Sequence, residues 1–143
     1  MTKLYLDDER TPHHSHGFHV VRNFAEFVDY IVCNGIPDVI SFDHDLGENH
    51  YKLKDEQWTL YPKLVEDGQV DLNVFGETGY DIAKWLVEYC EENGLKLKDT
   101  YVHSMNVVGA QNIAWALNEH YQKNKIPIRC RKGDICTKEI ITT

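Results

Sequence analysis

A period-two pattern comes first. In KLYL, residues 3–6, Leu4 and Leu6 alternate with Lys3 and Tyr5, which predicts a short strand running into the adjacent acids Asp7, Asp8 and Glu9. Residues 10–17, with Pro12 and three histidines, read as loop, and FHVVRN (18–23) as a second strand. After Asn23, an N-cap by residue type, the apolar Phe24, Phe27, Val28, Ile31 and Val32 fall on one helical face until Gly35 and Pro37 stop it. DVISF (38–42) is a third strand, apolar enough for burial on both faces, and it runs into Asp43-His44-Asp45. A second helix begins near Thr78, with Ile82, Ala83, Leu86, Val87 and Cys90 on one face, and TYVHS (100–104) follows as strand four. From Asn106 a third helix carries Ile113, Ala114, Leu117 and Tyr121, ahead of Pro127 and a fifth strand, IRCR (128–131).

Alternating strands and helices imply right-handed crossovers, and so an α/β domain with a mainly parallel five-stranded sheet and helices on both faces, a doubly wound sandwich. With 143 residues the chain reads as a single domain, residues 1–143. Residues 48–77 break the rhythm: about 30 residues separate strand three from the next helix, where about 2–6 are usual. They read as an insertion or lid within the domain, with a hairpin around Asp67 and Gly68.

Composition narrows the class. The chain is 42% hydrophobic and 27% charged, as in a soluble globular protein. No apolar run approaches the roughly 20 residues that span a bilayer, and no apolar leader precedes LDDER, so a cytoplasmic protein without membrane contact is expected. Cys33, Cys90, Cys130 and Cys136 form no C-x-x-C pair and read as reduced structural thiols. A net charge of −8 argues against duplex DNA, which needs a basic stripe. It leaves room for a small phosphorylated ligand if a metal ion or local cationic pocket reverses the sign at the site.

Open parallel sheets bind ligands at the C-terminal ends of their strands. If strands one and three are neighbours, Asp7, Asp8 and Asp43 converge, and three carboxylates cannot all stay ionised there without a counter-ion. A divalent cation held by oxygen ligands, Mg²⁺ or Mn²⁺, meets that need; the bland alternative is that these acids cap loops and face solvent. Ser104 could donate to a phosphoryl oxygen, Asn106 could cap a helix whose first amides face an anion, and Gly109 would let that backbone approach closely. An ordinary cap and turn would use the same residues. The histidines His13, His14, His16 and His19 cluster in sequence, but their spacing fits no standard zinc site.

Taken in chain order, the acidic pair, PDVISFDHDLG with Asp43, TGYDIAKWL and the hydroxyl after strand four resemble the receiver domains of two-component response regulators. That resemblance implies metal ligation by Asp7 and Asp8, a phosphoacceptor position at Asp43 and a switch hydroxyl at Ser104. Receivers end strand five in a lysine, usually before proline, whereas IRCRKGD offers Arg131 or Lys132 and no such proline. LDDER followed by TP, DHDLG, ETGYD, and HSMN with VG shortly after are more similar to the cyclic-phosphate processing receiver domains.

Membership there implies a receiver-like (flavodoxin-like) fold and a metal-dependent hydrolase acting on a cyclic phosphate, its partner being a phosphorylated small molecule or RNA terminus. In that mechanism Asp7, Asp8 and Asp43 hold the ion, and Asp43 could also carry a covalent phosphate. Asp45 or His44 orients the water, with Asp45 favoured because strand alternation puts it on the side of Asp43. His103 protonates the leaving hydroxyl, while Ser104, Asn106 and Gly109 receive the phosphate. A phosphoacceptor signalling domain and a non-catalytic binder of cyclic nucleotides are the alternatives.

Overall fold

Leu4 and Leu6 are fully buried on one side of β1 (Lys3–Leu6), and their cross-strand neighbours in β3 (Val39–Phe42) are Ile40 and Phe42. Every residue of β3 is buried, as its apolar run requires of a central parallel strand. This computed structural model describes residues 2–46, 55–69, 76–104, 106–124 and 135–136. The sheet order is β2-β1-β3-β4-β5, with β2 at His19–Val21, β4 at Asp99–Val102 and β5 at Ile135–Cys136. The first four strands are parallel and β5 is antiparallel to β4. The receiver-like α/β class therefore holds, with β1 and β3 adjacent as the convergence of their acids demands. The expected strand at 128–131 lies outside the described residues.

Capping chemistry sets the helices. Asn23 accepts the Glu26 amide at the start of α1 (Phe24–Asn34), which ends at Gly35 with φ 83°. Only Phe27 and Ile31 of its expected stripe are buried, and Val32 is exposed, having turned off the core-facing side. The helix at Gly79–Glu92, here α3, opens on a capping box between Thr78 and Asp81 and buries Ile82, Ala83, Leu86 and Cys90. The last long helix, α4 (Val107–Asn124), buries Ile113, Ala114, Leu117 and Tyr121 as their spacing predicts.

Helices on both faces were expected, but among the described residues α1, α3 and α4 share one. Phe24 and Phe27 meet Trp85 of α3, α3 packs on α4, and Tyr121 reaches Thr100 of β4. The chain advances in one direction from β2 to β3 to β4, and same-handed crossovers moving one way fall on one face. The β1 to β2 connection moves the other way and holds only a 3₁₀ turn, His14–His16. Its Phe18 packs edge-on against Tyr5 on the opposite face.

The described part of the insertion corrects the hairpin. Residues Asp55–Glu66 form α2, and Asp67-Gly68 is its C-terminal turn, with Gly68 at φ 72° and the Gln69 amide donating to Leu64. Trp58 and Tyr61 are buried. Pro62 has no N–H for the carbonyl of Trp58 four residues earlier, and Asn112 of α4 donates to that carbonyl instead, at 3.0 Å. None of the described helices is long and apolar enough to cross a membrane.

Candidate functional site at the strand ends

Parallel register brings the ends of β1, β3 and β4 level, so the residues just beyond them meet. One ligand atom each from Asp7, Asp43 and His103 lies within 4.8 Å of the others. Asp7 is almost wholly buried: its Oδ1 accepts the amides of Glu9 and Arg10, and its Oδ2 accepts Arg10 Nε at 2.8 Å and faces His103 Nε2 at 3.1 Å. Arg10 Nη2 donates to the His103 carbonyl and stands 3.6 Å from Asp43 Oδ1. Arg22 braces this turn by donating to the carbonyls of Asp7 and Arg10. Asp8 is half-buried and outside the three-residue set.

Charge is unevenly shared. Burial would raise the Asp7 carboxyl, but the amides of Arg10 and Glu9 and the Arg10 guanidinium outweigh it and hold it below the usual range. Asp43 goes the other way: burial and the negative charge of Asp7 push it up to about 7, against the smaller pull of the His44 amide and Arg10. Burial lowers His103 to about 4 despite the nearby Asp7, so its imidazole is neutral at physiological pH.

The imidazole of His103 is held on three sides. Its amide continues the β4 ladder to Phe42, its ring stacks on Tyr5 at 4.2 Å and 9°, and its Nδ1 is 2.7 Å from Ser41 Oγ. The other expected residues form an adjoining layer. Ser104 is buried and its Oγ accepts the Asn106 amide. Asn106 caps α4 by accepting the Gly109 amide and donates to Asp45 Oδ1, which also meets His44 Nδ1 at 2.8 Å. His44 is fully buried, edge-on to Trp58, and its Nε2 has no hydrogen-bond partner among the described residues.

Two glycines close this layer. A Cβ on Gly109 would stand 2.6 Å from His44 Nδ1, so the close approach there is made by the histidine ring. A Cβ on Gly79 would fall within 2.9 Å of the His44 Cα, and the Gly79 amide donates to the His44 carbonyl. The ETGYD stretch thus fixes the loop: Asp81 accepts both Thr78 and the hydroxyl of Tyr61.

Sequence reasoning missed Arg10, Ser41 and Tyr5. Arg10 was signalled by standing beside an acidic pair in need of a cation, and Ser41 by being the one hydroxyl in a buried strand. Tyr5 carried no signal beyond strand alternation.

A family model described as the cyclic-phosphate processing receiver domain matches residues 2–119. The curated proteins and the solved structures compared with the chain include no match.

Proposed function

The chain belongs to the cyclic-phosphate processing receiver domains, and from that premise we propose that its strand-end rim hydrolyses a cyclic phosphodiester on a nucleotide or RNA terminus with a divalent cation. The observation that carries this reading is the convergence of Asp7, Asp43 and His103 beside Arg10. Two carboxylates and a neutral imidazole fit Mg²⁺ or Mn²⁺, and the raised Asp43 carboxyl marks surplus negative charge that such an ion relieves. When bound, the cation supplies Lewis-acid stabilisation of charge on the phosphoryl oxygens.

The chain's own groups do the rest. Arg10, nearly half exposed, offers guanidinium N–H groups to a non-bridging phosphate oxygen. Asp45, oriented by His44 and Asn106, accepts a proton from the attacking water. Burial keeps His103 neutral, and in this reading it serves as a ligand. A second reading, phosphorylation of Asp43 itself, draws on Arg10, a cation 3.6 Å from that carboxylate, although it follows strand one and not strand five.

Turnover of 2′,3′- and 3′,5′-cyclic nucleotides should require Mg²⁺ or Mn²⁺ and vanish with EDTA or in Asp43→Asn. Hydrolysis indifferent to chelator would refute the metal-dependent mechanism, and metal-dependent binding without turnover would leave a binding protein. Labelling of Asp43 by acetyl phosphate would favour the second reading.

A further inference from the structure

We propose that Ser41 is a positioning residue that holds His103 with Nε2 available as a nitrogen donor, biasing the rim toward Mn²⁺-class ions over Mg²⁺; this rests on the metal-dependent reading above. Ser41 lies in the centre of β3, paired with Tyr5 on one side and Tyr101 on the other, and its hydroxyl is buried. A buried hydroxyl in an apolar strand needs a partner, and the partner is His103 Nδ1 at 2.7 Å. The Tyr5 stack fixes the plane of the ring, and the Ser41 bond fixes which nitrogen points to Asp7 and Asp43.

A hydroxyl suits both states of that ring because it can donate or accept. With the proton on Nε2, that N–H donates to the Asp7 carboxylate and the Ser41 O–H donates to Nδ1. When the Nε2 lone pair is given to a cation, the ring proton resides on Nδ1 and donates to Ser41 Oγ, and the imidazole keeps one proton throughout. Histidines that hold metals commonly donate their second N–H to such a partner, and losing it weakens metal binding by about 10–100-fold. Mg²⁺ demands a near-ideal shell of oxygens, so a nitrogen donor in the rim counts against it, whereas Mn²⁺ belongs to the first-row transition series whose members accept nitrogen as well as oxygen ligands.

The test is ion binding by calorimetry, with pulsed EPR of the Mn²⁺-loaded protein to detect a directly bound ¹⁴N. The wild type should bind Mn²⁺ more tightly than Mg²⁺ and give the nitrogen signal. Ser41→Ala should weaken Mn²⁺ by about 10–100-fold with a smaller effect on Mg²⁺, and Ser41→Thr should restore it. Should Ser41→Ala not fold, His103→Gln must by itself abolish both the nitrogen signal and the Mn²⁺ preference. Mn²⁺ binding without a nitrogen signal, or equal loss of both ions in Ser41→Ala, overturns this inference and leaves the proposed function standing. Failure of the wild type to bind either ion overturns both.

Discussion

Gly79 and Gly109 hold the same residue from two directions, but with different tolerance. A methyl group at Gly109 presses on the His44 ring, a side chain that can turn, whereas one at Gly79 presses on the Asp43 carbonyl and the His44 backbone, which cannot move without shifting the Asp43 carboxylate. Overpacking a buried contact costs about 1–3 kcal/mol. Gly109→Ala should fall in that range, and Gly79→Ala should exceed it and weaken metal binding as well. Urea midpoints of the two variants check the order, and equal midpoints would mean that the loop backbone yields as readily as the imidazole.

At the scale of elements, α2 is fastened to the body where proline interrupts its own hydrogen bonding. The Trp58 carbonyl, to which Pro62 has no N–H to donate, accepts from Asn112, and Trp58 packs against His44. Asn112→Ala should therefore cost about 1 kcal/mol, as for the loss of a hydrogen bond. In a Pro62→Ala background the new amide can reach the same carbonyl, so the cost of Asn112→Ala should shrink. A double-mutant cycle measures the coupling, and strict additivity would refute the shared acceptor. This helix also marks the limit of the sequence reading. Asn23 as a cap and the 3.6-residue spacing in α1, α3 and α4 were legible because capping and burial are local. In α2, Pro62 and Asp67-Gly68 mimic a turn, and the partner that makes the proline tolerable lies 50 residues downstream in another helix. The site divides in the same way. Asp7, Asp43 and Ser104 follow strand ends and could be read, while the link between Ser41 and His103 depends on cross-sheet placement that no periodicity records.

For the whole molecule, two groups at one rim, Asp43 buried and His103 partly so, make stability respond to pH in opposite senses. Asp43 is raised from the usual 3.8 to about 7, so its contribution is fully present below about pH 4 and is lost as pH rises through 7. His103 is lowered from 6.5 to about 4, so its contribution is present above 6.5 and is lost as pH falls toward 4. Between pH 4 and 7 the two oppose each other, and the wild-type curve should be comparatively flat. Asp43→Asn keeps the shape and an acceptor for the His44 amide but removes the first contribution. In the absence of divalent ions this variant should be more stable than wild type at pH 8, by at most a few kcal/mol, and should lose stability steadily from pH 6.5 toward 4. Adding Mn²⁺ at pH 8 should raise the melting temperature of the wild type and leave that of Asp43→Asn unchanged, because an ion stabilises only the folded state that binds it. Thermal melts across pH, with and without the ion, read all three effects. An Asp43→Asn curve parallel to wild type would show that this carboxylate is already neutralised in the ion-free fold, with Arg10 as the sufficient counter-charge.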